Sequence, residues 1–405
     1  MTYYIGDVIK DEKKLIARTP EQFEKSGVKV RLKTSVEEID AEKGEVRLDN
    51  GERLPYDSLV MGTGSKVFLP DIPGIYEEGV FKLKNLRDGI NIKTYIKEKQ
   101  CGNDKCRKAI IVGGGFIAME MSEAMRNLGL ETRVVYRGEL PVKKWDPEFS
   151  RAILEELTKN QVDFVPNKTP VAIERQGKGS ALRLITSDGE MEADIIIFAT
   201  GVKPNVTLAE QTGLEIGNTG AIMVDFSQRT SREEIYAVGD CCGVYHRISR
   251  KWIYMPLGDI ANKQGRVAGG NIGGYPMSFP GIVGAQSFKV FDLEVATTGV
   301  DEREAEKSGR HPVSTIIWST PSARSLSKGR KLGLKLIANK STGKLLGAQA
   351  VGEGGAVTKI NTLSVCLWSG MNIDEIGYMD LAYSPTFGGP WDPIQIAAQI
   401  LKKEL

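Results

Sequence analysis

The chain has 405 residues, 41% hydrophobic and 26% charged, with 54 Lys and Arg against 52 Asp and Glu for a net charge of +2. That length suits two or three globular domains, and cations so evenly scattered leave no concentrated basic face for a nucleic acid. The opening Met1-Thr2-Tyr3-Tyr4-Ile5-Gly6-Asp7 reaches charge before a signal-peptide core could form, and no apolar run approaches the roughly 20 residues of a membrane span, so a cytoplasmic protein without membrane contact is expected. The five cysteines are odd in number and none forms a C-x-x-C pair; Cys101, Cys106, Cys241 and Cys242 read as reduced thiols. With His246 and His311 the only histidines, neither a zinc site nor a Ser-His-Asp hydrolase is expected, and no metal ligands are assigned.

In chain order, residues 28–32 and 45–48 alternate like strands, and Asn50-Gly51 supplies the positive backbone angles of a tight turn. Residues 58–61 form a buried-looking strand that ends in Gly62-Thr63-Gly64, and Pro70, Pro73 and Gly74 then place a boundary near residue 77. Residues 109–112 are four apolar residues in a row, predicting a buried strand. In the turn that follows, Gly113 and Gly115 allow close backbone approach to a pyrophosphate, and Ala118 lets a helix pack on the strand. Residues 119–130 predict that helix, whose amide end would face the phosphates, and a second strand spans 132–136 after the stop at Gly129.

A hairpin at Asp188-Gly189 and a strand over 194–199 lead into Thr200-Gly201, similar in kind to Thr63-Gly64. Residues 206–280 contain Tyr236-Ala237-Val238-Gly239-Asp240 and a helix starting near Leu257, just after Pro256. Beyond residue 281 strands are predicted at 283–300 and 312–319, a hairpin at 339–344, and helices at 356–369 and 393–401. Alternating strands and helices predict a parallel three-layer α/β region, and sheet followed by helices predicts a separate α+β domain. Cofactor choice turns on the end of the second strand, where a carboxylate would hold a ribose hydroxyl and an arginine a 2′-phosphate. The chain has Tyr136-Arg137 there, with Lys143 and Lys144 nearby, so NADPH is expected to be accepted at least as well as NADH, unless Arg137 is a solvated surface charge.

Taken together, the segment from Tyr56 to Ser65, the turn at Gly113, the segment Phe198-Ala199-Thr200-Gly201-Val202-Lys203-Pro204-Asn205 and the step Gly239-Asp240-Cys241 resemble the pyridine nucleotide-disulfide oxidoreductases. The ending Asp380-Leu381-Ala382-Tyr383-Ser384-Pro385 with Trp391-Asp392-Pro393 is similar to the coenzyme A-disulfide reductase, NADH oxidase and NAD(P)H sulfur oxidoreductase group. The resemblance implies an α/β fold of two interleaved Rossmann-like domains plus a C-terminal α+β dimerisation domain. The FAD domain would comprise 1–77 and 206–280, the NAD(P) domain 78–205 and the dimerisation domain 281–405. Members are homodimeric flavoproteins in which NAD(P)H reduces FAD and a cysteine passes electrons to a small-molecule acceptor: a disulfide such as coenzyme A disulfide, a sulfur species, or oxygen. They begin with an FAD-binding glycine turn and a Cys-Gly-x-Pro-Tyr segment. Matching Tyr3 to that tyrosine would put the cysteine two positions before Met1, so the FAD domain is expected to be N-terminally truncated, the chain an incomplete form and its hold on FAD poor.

The same resemblance implies roles for individual residues. Asp240, after Gly239, would accept from the flavin ribityl chain, although Asp also suits a helix N-cap. The helix at Leu257 would aim its amides at the flavin ring, and Thr63, Gly64, Thr200 and Gly201 would line the cofactors. Phe116 would cover the flavin until nicotinamide enters, or be a plain core residue. Glu120 would sit near nicotinamide and flavin, or be an ordinary helix carboxylate. Tyr383 would reach a partner's substrate site, or be an interface tyrosine, and Pro385-Thr386 in place of that group's Pro-Pro departs from coenzyme A specificity. An alternative function is a non-catalytic NAD(P)-binding protein without dithiol chemistry.

Overall fold

The computed structural model describes residues 1–101, 106–175, 177 and 181–405; residues 102–105 and the side chain of Cys101 lie outside the described residues. The chain folds into two compact units, one of Met1–Glu12, Leu69–Gly201 and Val283–Leu405, the other of Lys13–Phe68 and Val202–Ile282.

The first unit is built on a parallel sheet whose strands run in the order Val80–Lys82, Ile195–Phe198, Lys108–Val112, Glu131–Val135, Val162–Val165. Ile195, Ile196, Ile197 and Phe198 are all buried, as a strand covered on both faces requires. Helices Leu86–Cys101, Phe116–Asn127 and Pro147–Lys159 belong to the same region, which matches the α/β architecture expected from the sequence. The C-terminal part is a five-stranded antiparallel sheet ordered Gln286–Val290, Leu293–Gly299, Leu345–Gly352, Leu332–Asn339, Pro312–Ser319, followed by helices Ala356–Ser369 and Pro393–Leu401.

In the second unit, strands Leu59–Met61 and Ile235–Ala237 pair in parallel, and Ser65–Val67 pairs antiparallel with Val202–Pro204. A three-stranded meander of Val36–Asp40, Glu45–Leu48 and Arg53–Pro55 turns at Gly51, where φ is +85°. The strand expected over 28–32 is absent. Val28 and Leu32 are exposed, and the second neighbour of Glu45–Leu48, opposite Arg53–Pro55, is the acidic Val36–Asp40, where Arg47 lies 2.6 Å from Glu37 and 2.8 Å from Glu38. Alternation alone cannot choose between two flanking segments; cross-strand pairing does.

Within the first unit the nucleotide-binding region and the C-terminal sheet share a buried ionic joint. Asp146, ahead of helix Pro147–Lys159, donates its backbone N–H to Gln349 Oε1 at 2.8 Å and pairs through its carboxylate with Lys335, which also pairs with Glu302. The Lys335 side chain is only 4% exposed. Burial works to depress its ammonium, and hydrogen bonds to Asp146 and Glu302 outweigh that and hold it above the ordinary lysine value. Burial likewise works to raise the Asp146 carboxyl, and hydrogen bonds from Glu148 and Lys335 hold it below its ordinary value.

Lys335→Met strands the Asp146 charge, and denaturant unfolding should show a loss of about 3–5 kcal/mol near neutral pH. The raised lysine contributes at pH below its ordinary range and is lost as pH rises through its folded value; the depressed aspartate contributes above its ordinary range and is lost as pH falls through its own. The gap between wild type and variant should therefore close below about pH 4 and above about pH 10.5.

Candidate functional site

The glycine turn of the first unit leaves no space on one side and open solvent on the other. A Cβ on Gly113, where φ is +140°, would sit 2.3 Å from the Ala199 carbonyl oxygen, and one on Gly114 would meet the Tyr136 ring at 2.7 Å. At Gly115 the same atom would touch nothing within 4 Å. Gly115 caps helix Phe116–Asn127, so the first amides of that helix open onto a surface a phosphate can approach, while Ala118 is wholly buried against the sheet side. This cradle fits a dinucleotide pyrophosphate.

Around the turn, Thr200 and Gly201 follow strand Ile195–Phe198, with Gly201 at φ +98°, and Tyr136 and the exposed Arg137 follow strand Glu131–Val135. Val142 N–H donates to Gly114 O at 2.7 Å, tying the 136–145 loop to the turn. Beyond Tyr136 opens a cleft of about 680 Å³, lined on one side by Arg137, Lys143 and Lys144 and on the other by residues of the C-terminal part.

Phe116 and Glu120 share one helix face a turn apart. The Phe116 ring stacks on Phe288 at 4.7 Å between centroids and meets Trp145 edge-on at 5.2 Å. Glu120 accepts a hydrogen bond from the Thr2 hydroxyl at 2.9 Å, because helix Thr2–Ile5 lies so close that a Cβ on Gly6 would meet Ala124 Cα at 2.8 Å. Burial lifts the Glu120 carboxyl above its ordinary value, and the Thr2 hydrogen bond opposes the rise. Tyr383 is set apart from these, exposed in the irregular segment between helices Ile373–Gly377 and Pro393–Leu401, which also exposes Phe387 and Trp391.

The second unit gathers the other predicted residues. Gly239 takes φ +77°, and its N–H donates to the buried Gln264 Oε1 at 2.9 Å, which fixes the Gly239-Asp240 step against helix Gly258–Ile272. Asp240 accepts from Ser65 Oγ at 2.9 Å, so the strand end carrying Thr63 and Gly64 meets the strand end carrying Asp240. Thr63 itself donates to Asn205 O at 2.7 Å. Leu257, in extended conformation, is the N-cap of helix Gly258–Ile272. The Tyr254 hydroxyl is buried and makes no well-formed hydrogen bond within the protein; burial pushes its phenol up to about 12, the neighbouring Ser65 hydroxyl opposes the rise and Asp240 adds to it. A native buried hydroxyl so weakly satisfied wants explaining, and one standing beside Ser65 and Asp240 fits a hydroxyl-rich ligand such as a ribityl chain.

Sequence reasoning did not select Thr2, Ser65, Tyr254 or Gln264. Ser65 directly follows Thr63-Gly64 and Tyr254 stands two residues before the helix-start proline, so both carried a positional signal; Thr2 and Gln264 act through contacts with no local signature. The buried free thiols Cys106 and Cys366 are pushed by burial up to about 12 and about 11, which suits inert side chains. Among the described residues no helix is long and apolar enough to cross a membrane.

Residues 3–264 match the family model described as pyridine nucleotide-disulphide oxidoreductase, and residues 285–392 match that family's dimerisation domain. The NAD(P)H sulfur oxidoreductase (CoA-dependent) of Pyrococcus furiosus is 35% identical over 98% of this chain and 89% of its own length. An NADH oxidase of Methanocaldococcus jannaschii is 30% identical over 100% of this chain and 89% of its own. Among solved structures, the NAD-dependent persulfide reductase from A. fulgidus superposes with a TM-score of 0.93 at 35% identity, covering 100% of this chain and 75% of that one.

Tyr254→Phe should separate folding from binding. Removing this weakly satisfied buried hydroxyl should change the stability of the ligand-free protein in thermal unfolding by no more than about 1 kcal/mol, while retention of flavin through gel filtration, read from its absorption band, falls.

Proposed function

Because the chain belongs to the pyridine nucleotide-disulphide oxidoreductases, and is with them an NAD(P)H-dependent flavoprotein oxidoreductase that uses FAD, we propose that it accepts NADPH at least as well as NADH and delivers the electrons to a sulfur acceptor. The acceptor class is a persulfide, a polysulfide or a disulfide such as coenzyme A disulfide. For a persulfide the balance is two electrons and two protons, which break the S–S bond and leave a thiol and hydrogen sulfide.

One observation carries the cofactor half: Tyr136-Arg137 directly follows the strand after the glycine turn, with an exposed arginine where an NAD-selective site places a carboxylate. Gly113 and Gly115 would seat the pyrophosphate on the helix amides, Tyr136 would flank the ribose, and Arg137 would pair with the 2′-phosphate. Phe116 would act as the gate over the nicotinamide position, and swinging it out gives up its two aromatic contacts, each worth about 0.5–1.5 kcal/mol. Glu120 would hold a proton or a charge beside that position, its basicity raised by burial. Bound flavin supplies the hydride acceptor and the means of passing two electrons on. Asp240, Ser65 and Tyr254 would hold its ribityl hydroxyls, Thr63, Gly64, Thr200 and Gly201 would line the cofactors, and the amides after Leu257 would stabilise negative charge on its ring.

The acceptor half is supported by the names of the relatives from P. furiosus and A. fulgidus, whose sulfur chemistry is theirs and is proposed for this chain. The M. jannaschii relative favours oxygen as a second reading. A nucleotide-binding protein without catalysis is set aside, since these relatives span nearly the whole chain and are oxidoreductases or oxidases by name. A homodimer is part of the proposal, with Tyr383, Phe387 and Trp391 as exposed aromatics of a matched dimerisation domain.

Oxidation of NADPH and NADH is followed anaerobically with coenzyme A persulfide or polysulfide, and in air without either. Turnover with the sulfur acceptors and a kcat/KM for NADPH no lower than for NADH are expected; a strong NADH preference or a strict need for oxygen overturns the respective half. Arg137→Ala should lower kcat/KM for NADPH about tenfold or more and leave NADH nearly unchanged.

A further inference from the structure

The cleft beyond Tyr136 has a second wall that cofactor binding by the glycine turn does not explain. Its volume of about 680 Å³ lies within the roughly 300–1,000 Å³ of small-molecule sites, and its lining joins Tyr136, Arg137, Lys143 and Lys144 to Asp301, Glu302, Arg303 and Lys335 of the C-terminal part. Most of its carboxylates are engaged: Asp146 and Glu302 pair with Lys335, and Asp301 accepts from the Glu304 N–H at 2.7 Å as a helix cap. The cations are not. Arg137, Lys143, Lys144 and Arg303 line the cleft without an ion-pair partner among the described residues, four cations against the two carboxylates, Glu139 and the helix-capping Asp301, that likewise have no ion-pair partner there. The cleft adjoins the glycine turn through its Tyr136 wall, since Tyr136 packs on Gly114 and the loop behind it is hydrogen-bonded to Gly114 O.

We propose that Arg303, carried by the C-terminal part, grips the adenosine 2′-phosphate of NADPH from the side opposite Arg137, so that the domain matched as a dimerisation module takes part in selecting the cofactor. This rests on the reading of the site as NADPH-accepting. The buried Lys335 joint gives the arrangement its rigidity: it anchors Glu302, the residue before Arg303, to Asp146, the residue after Trp145 on the nucleotide side. Two guanidiniums converging on one phosphate suit its geometry, each offering paired N–H donors. Arg303 is exposed in the first turn of a short surface helix, so its removal leaves the core untouched.

The test is calorimetric titration of the whole protein with adenosine 2′,5′-bisphosphate and with adenosine 5′-monophosphate, for wild type, Arg137→Ala, Arg303→Ala and Arg303→Lys. Wild type should bind the bisphosphate more tightly. Arg303→Ala should weaken the bisphosphate about tenfold and leave the monophosphate within about twofold, Arg303→Lys should recover part of the loss, and the thermal midpoint should not move. In steady state Arg303→Ala should raise KM for NADPH with kcat unchanged and leave KM for NADH alone. If wild type does not distinguish the two nucleotides, the NADPH reading fails and this inference with it. If Arg137→Ala loses the preference and Arg303→Ala keeps it, the NADPH reading stands and the role of Arg303 is overturned; equal weakening of both nucleotides overturns it as well.

Discussion

A gap too small for a methyl group organises the first unit. Where the parallel strands end, the backbone at Gly113 passes so near the Ala199 carbonyl that any side chain would collide with it at 2.3 Å. Only glycine tolerates both that approach and the φ of +140° that accompanies it. The tight crossing brings the ends of strands Lys108–Val112 and Ile195–Phe198 together and starts helix Phe116–Asn127 within three residues. Without it the helix amides would not face the crevice at the carboxyl ends of the strands, which is where open α/β sheets bind their ligands.

The C-terminal part is more than an appendage to this site. Lys335 and Gln349, on neighbouring strands of the antiparallel sheet, hold Asp146 by charge and by hydrogen bond, and Phe288 from the same sheet stacks on Phe116. A side chain beside the glycine turn and the loop that carries the cationic residues are therefore both positioned by residues more than a hundred positions later in the chain. Burying an ammonium between two carboxylates is costly unless the geometry is held, which couples the integrity of the nucleotide cleft to that of the C-terminal sheet.

In the second unit the polar residues converge without satisfying one another completely. Ser65 and Asp240 come from strand ends far apart in sequence and meet at 2.9 Å, whereas the Tyr254 hydroxyl is buried beside them without a well-formed hydrogen bond. A protein interior seldom leaves such a group so weakly satisfied. A hydroxyl-bearing cofactor would complete the set, and the family's use of FAD supplies one.

Much of this was legible in the sequence because local chemistry dictated it. The run of apolar residues at 109–112 read as a buried strand, glycines 113 and 115 as a close turn because a strand and a helix flank them, and the hairpins at Gly51 and Gly189 announced themselves through residues that accept positive φ. The order of those motifs along the chain was enough to indicate the family. Other features depended on partners that sequence proximity does not reveal. Residues 28–32 looked like a strand and are not: Val28 and Leu32 stay exposed, whereas Ile39 of segment 36–40 joins Val46 and Leu48 in the core. Lys335, Gln264, Thr2 and Arg303 are unremarkable in the sequence and acquire meaning from what lies across space: Asp146, Gly239, Glu120 and the cleft beside Arg137. Propensity and turn chemistry act over a few residues, so the sequence alone determined the glycine turns, the buried strands beside them and the cofactor class; long-range charge pairing and burial act between segments, so only the tertiary structure decided which strands pair at 28–48 and which side chains surround the site.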